Sequence, residues 1–194
     1  MAGNSEQLTQ DLEKIVGKDY VSTDLFERIN YADTSLPYDV EEGDLPDIIV
    51  HPGKTYSPLE DFGLLKKACE RHGMSLSLEN GTSHPNNDVG NLRRLCKLLG
   101  VGMTLDVGHA YLSKQDVYDL SPIKDVLEHV HLHNVGSTDH IRLETGFISI
   151  PKVVDALKRI EYDKGIVLEV HNDPDFFEAI AESKKVLDLL WKKF

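Results

Sequence analysis

From residue 48 onward, short apolar runs alternate with longer amphipathic segments. The apolar runs are each bounded by glycine, asparagine or a polar loop, which is typical of buried parallel strands: DIIVHPG, MSLSLEN, VGMTLDVGHA, HVHLHNV and GIVLEVH. The amphipathic segments repeat apolar residues at helical spacing and predict helices over Leu59–His72, Asn91–Leu99, Ile123–His129, Ile150–Ile160 and Phe176–Phe194. Strands that alternate with helices predict an α/β domain with a parallel sheet and right-handed crossovers.

A polar residue that can ionise stands near the end of every predicted strand. These residues are His51, Glu79, Asp106, His133 and Glu169, at intervals of 28, 27, 27 and 36 residues. One βα unit takes about 30 residues, so the spacing indicates five successive units. A doubly wound sheet does not require such a residue at every strand end, whereas a (β/α) barrel builds its site from those ends. A complete barrel needs roughly 250 residues. We therefore expect a partial (β/α)8 TIM barrel, equivalent to strands 4–8.

Residues 1–47 do not continue this pattern. They hold three basic and twelve acidic residues, whereas residues 48–194 hold eighteen basic and twenty-one acidic residues. Proline, glycine and acidic residues interrupt residues 23–44, and no βα unit is visible there. We expect an irregular acidic N-terminal segment over 1–47 and a barrel-type metal-binding domain over 48–194. Fusion of a foreign fragment is a hypothesis that would explain the change in charge between them.

Composition narrows the class of protein. The net charge of −12 repels phosphate backbones and disfavours nucleic acid as a partner. No apolar run approaches the roughly 18–20 residues that span a bilayer, and the first ten residues lack the pattern of a secretory signal. The two cysteines, Cys69 and Cys96, both fall in predicted helices, and we expect buried thiols in a reducing cytosol. A cytoplasmic protein without a membrane partner is the expectation.

Several polar residues are candidates for chemistry, and each has a structural alternative. Glu169 stands inside an apolar strand, where an unpaired carboxylate is costly and needs a cation or a partner. Asp106 could face a pocket with His109 across a glycine turn, or it could simply cap the next helix. Glu79 could be a ligand or a solvated loop carboxylate. His131 and His133 are two apart, so both point to the same side of one strand.

Together, Glu79, Asp106, His133 and Glu169 form a set of three carboxylates and one imidazole. Such a set suits Mn²⁺, Mg²⁺, Co²⁺ or Zn²⁺, and a bound ion would act as a Lewis acid. The glutamates could shuttle a proton between adjacent carbons. Further candidates near this set are His51, Asp139 and His140, followed by His171. The remaining histidines are expected at surfaces or helix ends: His72, His84 and His129.

The motifs LSLEN, TLDVGHA, HVHLHN with the following DH…G, and IVLEV occur in that order. Residues 48–194 thereby resemble the sugar phosphate isomerase/epimerase and endonuclease IV branch of the xylose-isomerase-like TIM barrels. In the ketose epimerases of this group, Glu, Asp, His and Glu from successive strands hold one metal. The resemblance implies that Glu79, Asp106, His133 and Glu169 do so here. It further implies that Glu79 and Glu169 are the acid/base pair acting through an enediolate, and that His109 orients the substrate.

The resemblance leaves two other functions open beside a metal-dependent sugar or sugar phosphate isomerase or epimerase. The endonuclease IV branch uses three zinc ions, and His51, His109 and His140 match its additional histidines in part. However, Asp139 and His140 are adjacent where that branch separates them, and the acidic charge opposes a nuclease. The third possibility is a truncated barrel without catalytic activity. In that case the open sheet edge could pair with a second copy as a homodimer.

The beginning of the chain resembles a different group. The stretch LEKIVGKDYVSTDLFERINYADTS…PDIIVHP is similar to the N-terminus of FAD-linked glycolate-oxidase-type proteins. The glycine-rich flavin-binding segment of those proteins does not follow here. We therefore expect no FAD, and a small sugar or sugar phosphate as the substrate of residues 48–194.

Overall fold

The computed structural model describes residues 48–50, 58–82, 88–171 and 175–192, together with Gln10. In this part of the chain, five strands form one parallel sheet whose spatial order follows the sequence. A doubly wound sheet would instead reverse its strand order at a switch point. The predicted α/β class with a partial barrel is therefore confirmed. The strands are β1 (Ile48–Val50), β2 (Leu76–Glu79), β3 (Gly102–Asp106), β4 (Leu127–Leu132) and β5 (Ile166–Leu168).

Helices follow the strands as predicted, with limits that shift by a few residues. They are α1 (Pro58–Arg71), α2 (Val89–Leu99), α3 (Val107–Leu112), α4 (Ile150–Arg159) and α5 (Phe176–Trp191). The chemistry of the ends is clearest in α2. Asp88 Oδ1 accepts a hydrogen bond from Asn91 N at 2.9 Å, and Gly100 takes a left-handed φ of 65° at the other end. Because glycine has no Cβ, it makes that turn into β3 without strain.

The predicted helix Ile123–His129 is wrong. A 3₁₀ turn covers Ser121–Ile123, and β4 begins at Leu127. The apolar residues Ile123, Val126, Leu127 and Val130 do have helical spacing, but β4 fits between β3 and β5 and gains hydrogen bonds from both. Tertiary pairing therefore overrides the local pattern. The same error placed His129 at a helix end, whereas its side chain is buried in the sheet.

The two faces of the sheet differ in chemistry because alternate residues point to opposite sides. On one face, Leu78, Leu105, Leu132 and Leu168 join a buried apolar cluster. Its helical members include Phe62, Leu65, Leu92, Leu95, Val153, Leu157 and Leu187. The other face carries buried polar side chains, which are Ser77, Thr104, His129 and His131. Ser77 Oγ and Thr104 Oγ1 share a hydrogen bond of 2.7 Å across β2 and β3. Hydrogen-bonded polar side chains therefore occur on this face of the sheet along the strands as well as at their carboxyl ends.

The cysteines lie where the sequence predicts them. Cys69 on α1 and Cys96 on α2 are both buried. Of the helices described, α5 is the longest at 16 residues, and none combines the length and apolarity needed to cross a bilayer. Apart from Gln10, the predicted N-terminal segment lies outside the described residues, so the proposed division at residue 47 stays a prediction.

Candidate metal centre

Four side chains from four neighbouring strands meet at the carboxyl end of the sheet. Glu79 ends β2, Asp106 ends β3, His131 lies in β4 and Glu169 directly follows β5. One ligand atom from each lies within 4.8 Å of one from every other member. His131 Nδ1 is central, at 2.8 Å from Glu79 Oε1 and 3.1 Å from Glu169 Oε1. We call these four residues the carboxylate cluster.

A second group, the histidine cluster, shares Asp106 and adds His109, His133 and His140, again with ligand atoms within 4.8 Å. Asp106 Oδ1 lies 3.0 Å from His133 Nε2, and its Oδ2 lies 3.1 Å from His109 Nδ1. The rings of His133 and His140 stack with centroids 3.9 Å apart. The exposed ring of His171 lies 4.1 Å from that of His140. Imidazoles thus extend from Asp106 toward solvent.

Burial and charge oppose each other within the carboxylate cluster. Burial disfavours the imidazolium form of His131, but the charges and hydrogen bonds of Glu79 and Glu169 outweigh this effect and hold its pKa well above the usual value. Burial likewise opposes ionisation of Glu169, yet His131 lowers its pKa. The same balance lowers the pKa of Asp106, through the hydrogen bond and charge of His133 and the charge of His109. Asp106 and Glu169 are thus favoured as carboxylates.

The histidine cluster is less uniform. Burial disfavours charge on His133, but its hydrogen bond to Asp106 raises its pKa. Burial and the neighbouring His133 and His171 lower the pKa of His140. Stacked imidazoles cannot all carry charge at close range. The lowered pKa of His140 therefore favours its neutral imidazole, the form that binds metal ions.

The local sequence explains how Asp106 is held. Asp106 Oδ1 caps α3 by accepting from His109 N at 2.7 Å. The backbone of Asp106 pairs with the carboxamide of Asn80 in both directions, at 2.8 and 2.9 Å. Gly108 is required beside it, because a Cβ at that position would lie 1.9 Å from His133 Cε1. In the Asp-x-Gly-His turn, the aspartate therefore caps α3, and the glycine lets the ring of His133 approach the backbone closely.

The structure joins three of the four residues of the predicted metal set, Glu79, Asp106 and Glu169, through His131 rather than His133. In the sheet, Asp106 is directly opposite His131, whereas β4 ends at Leu132 and His133 turns toward His109 and His140. The metal set that includes His133 stays a prediction, and His133 keeps a contact of 3.0 Å between its Nε2 and Asp106 Oδ1. The sequence already indicated that His131 and His133 share a face, because they are two residues apart. Only the register of β4 decides which of them lies opposite Asp106.

The other candidates divide between these groups. His109 and His140 belong to the histidine cluster, and Asp139 lies beside it, with Oδ1 3.3 Å from His140 Nδ1. His140 also approaches the carboxylate cluster, with Nε2 3.8 Å from Glu169 Oε2. His51 lies outside the described residues. Sequence reasoning missed His131 as a cluster member and His129 as a buried neighbour, whose ring centroid is 5.4 Å from that of His131.

Comparison with known proteins identifies the family. The sequence model of the xylose isomerase-like TIM barrel matches residues 48–191, and the chain belongs to that family. The match starts at residue 48, and none of the comparisons supports the resemblance of residues 1–47 to FAD-linked oxidases. A search of curated proteins gives no significant match.

Solved structures share the fold at low identity. A 3-keto-D-glucoside 4-epimerase from E. coli is 18% identical with a TM-score of 0.58, over 68% of this chain and 52% of that one. A D-tagatose 3-epimerase-like protein is 23% identical with a TM-score of 0.57, over 75% and 64%. A probable 3-DHS dehydratase from Bacillus anthracis is 16% identical with a TM-score of 0.58, over 71% and 59%. The chain thus spans between half and two thirds of these proteins.

Proposed function

We propose that this chain is a divalent-metal-dependent isomerase or epimerase acting on a sugar or sugar phosphate. The observation that carries the proposal is the convergence of Glu79, Asp106, His131 and Glu169 at the carboxyl ends of four neighbouring strands. Family membership and the sugar epimerases among the structural neighbours support it.

The donor set of the carboxylate cluster fits a hard or borderline cation. Three carboxylates are buried or nearly buried around one imidazole, with Glu79 2% and Asp106 0% exposed. Buried carboxylates in excess of nearby positive charge are costly unless a cation compensates them. Oxygen-rich sites with one histidine suit Mn²⁺, Mg²⁺, Co²⁺ or Zn²⁺. When bound, such an ion supplies Lewis acidity toward the carbonyl and adjacent hydroxyl of a sugar.

The protein's own residues would move the proton. The Oε1 atoms of Glu79 and Glu169 both approach His131 Nδ1, at 2.8 and 3.1 Å, so the two carboxylates flank one small volume. One glutamate would take a proton from the carbon beside the carbonyl, and the other would return a proton to the resulting enediolate. We assign substrate orientation to His109, whose side chain is 17% exposed beside Asp106.

Metal counting tests this proposal directly. Metal-free protein is titrated with Mn²⁺, and bound metal per chain is measured by mass spectrometry and calorimetry. We expect one ion per chain and, at 100 times Kd, an added stability of about 2.7 kcal/mol. Glu169→Gln should weaken Mn²⁺ binding at least about 100-fold. The matched control Glu178→Gln changes an exposed glutamate on α5 and should bind like wild type. Absence of stoichiometric binding by wild type would refute the proposal.

Proton exchange tests the chemistry. Ketoses and ketose phosphates are incubated with the metal-loaded chain in D₂O and followed by NMR. Deuterium should enter at the carbon beside the carbonyl, and an epimer or isomer should accumulate. Glu79→Gln should abolish this exchange. A chain that binds metal but exchanges no proton with any ketose would instead be a truncated barrel without activity.

The histidine cluster favours a second candidate, a metal-dependent phosphodiesterase of the endonuclease IV type. Three imidazoles beside a shared carboxylate could hold a further ion, preferably Zn²⁺. Two or more zinc ions per chain, together with hydrolysis of a phosphodiester, would favour this reading. Size-exclusion mass at several concentrations shows whether the chain also forms the homodimer expected from an open sheet edge.

A further inference from the structure

The segment 135–148 after β4 is tied back on itself by hydrogen bonds. Asn134 and Ile141 form an antiparallel bridge, with N···O distances of 3.0 and 3.1 Å. Phe147 N donates to Val135 O at 2.7 Å, and Leu143 N donates to Ser183 Oγ on α5 at 3.1 Å. We call residues 135–148 the histidine loop, because they carry His140 into the histidine cluster.

A single side chain closes the histidine loop. The Nδ2 group of Asn134 donates to Leu143 O at 2.6 Å and to Ile148 O at 3.1 Å. Its Oδ1 accepts from Val135 N and Ile148 N, both at 2.9 Å. A carboxamide has two donor hydrogens and two acceptor lone pairs, so all four positions are used. Asn134 is also only 1% exposed, and water therefore contributes little to these bonds.

The opposite side of the loop is shaped to admit this carboxamide. A Cβ at Gly146 would lie 2.0 Å from Asn134 Oδ1, so only glycine allows the loop to approach this closely. The Asn134 side of the contact is buried and leaves no room for a larger residue at position 146 without movement.

The histidine loop presents His140 in an unusual backbone conformation. Its φ is 54°, in the left-handed region that non-glycine residues rarely adopt. Its N–H donates to His133 Nδ1 at 3.0 Å, its ring stacks on His133, and its Nε2 lies 3.8 Å from Glu169 Oε2. A left-handed residue persists only where the surrounding structure determines it. The backbone bridge of Asn134 to Ile141 holds the residue after His140. The side chain of Asn134 holds the same loop at Leu143 and Ile148.

We infer that Asn134 is a positioning residue of the candidate metal centre, which acts by holding the histidine loop so that His140 remains between His133 and Glu169. This inference rests on the proposed function, because it links the loop to ion binding at the carboxylate cluster. It assigns Asn134 no contact with an ion or a substrate. Its effect passes through the backbone of residues 135–148.

The first test needs neither metal nor substrate. Asn134→Asp keeps the shape and the acceptor oxygens but removes both donors. By hydrogen exchange, the amides of Ile141 and Phe147 should then exchange about 100-fold faster, since two buried carbonyls lose their partners. His140 should react faster with diethylpyrocarbonate, with His72 as the internal reference. Gly146→Ala, which disturbs the same contact with the carboxamide of Asn134, should also speed amide exchange and the modification of His140.

The second test measures Mn²⁺ binding. Asn134→Asp should weaken Mn²⁺ binding about tenfold or more, as the loss of supporting contacts around a metal site usually does. Leu95→Ala, which removes buried methyl groups on α2, serves as the control. It should lower Tm without changing either His140 reactivity or Mn²⁺ affinity.

The outcomes separate the two proposals. If wild type binds no Mn²⁺, the proposed function fails, while the exchange and reactivity results still decide the role of Asn134. If wild type binds Mn²⁺ and Asn134→Asp binds it equally well, the positioning role is refuted. Should Asn134→Asp not fold, wild-type exchange decides: amides of Ile141 and Phe147 that exchange well before global unfolding would overturn the inference.

Discussion

At the carboxyl ends of the strands, Asp106, His131 and His133 are fully buried. Asp106 pairs with His133, and His131 pairs with Glu79. At the amino ends, charge stays near solvent. Arg93 and Lys97 of α2 pair with Asp125 just before β4, and these side chains are between one third and one half exposed. In the part of the chain that the structure describes, the buried carboxylates, Glu79 and Asp106, both lie at the carboxyl end of the sheet. A structural role does not require the cost of buried charge, whereas ion binding and proton transfer do.

The largest expected difference between the two ends comes from Asp106→Asn. Asp106 belongs to both clusters, so its loss should weaken metal binding at each of them by about 100-fold or more. Asp88→Asn is the matched control, because Asp88 also caps a helix but lies away from the clusters. Asparagine is as good a cap as aspartate, so both variants should keep their helices. Calorimetry with Mn²⁺ and Zn²⁺ measures the difference, and equal binding by both variants would contradict it.

Two glycines give the next largest contrast. Gly108→Ala should destabilise the chain by about 1–3 kcal/mol, because its Cβ would collide with the buried ring of His133. Gly63→Ala on α1 places a Cβ that meets no atom within 4 Å. It should leave the stability unchanged or raise it by up to about 1 kcal/mol, because alanine favours a helix over glycine. Urea denaturation compares the two variants, and similar losses would mean that the carboxyl end is no more tightly packed.

A smaller effect concerns the thiol of Cys96. Burial raises the pKa of Cys96 to about 12, and this effect outweighs a backbone hydrogen bond at the sulfur that lowers the pKa. Only the thiolate reacts with iodoacetamide, so native protein at pH 8 should leave Cys96 unmodified for hours. In urea it should react within minutes. Peptide mass spectrometry reads out both reactions, and rapid modification of native protein would show that this end opens readily.

The smallest effect is expected for Asp125→Asn. Hydrogen bonds from Arg93 and Lys97 lower the pKa of Asp125 to about 2, from 3.8. A lowered folded pKa means that the carboxylate stabilises the fold above pH 4 and loses this contribution as the pH falls toward 2. Wild type should therefore have a slightly higher Tm than Asp125→Asn at pH 7, by less than about 2 °C, and the difference should disappear near pH 2. A difference that persists there would exclude the ion pairs as its cause.

Much of the architecture was accessible from periodicity. Short apolar runs bounded by turn residues predicted all five strands, and amphipathic periodicity predicted four of the helices. The exception was Ile123–His129, where helical spacing and strand pairing compete and only neighbouring strands decide. For the candidate site, Glu79, Asp106 and Glu169 were recognisable because each carboxylate ends an apolar run. The convergence of these three residues follows from parallel strands sharing one carboxyl end.

The sequence alone determined that ionisable residues end successive strands, since composition and alternation are local properties. It could not decide between His131 and His133, which share a face. That choice depends on the register of β4 against β3, which places His131 opposite Asp106 and leaves His133 beyond the strand. The closure of the histidine loop by Asn134 is likewise tertiary, because its four hydrogen bonds reach residues up to 14 positions away. Hydrogen-bond partners distant in sequence are selected by packing, which no local pattern encodes.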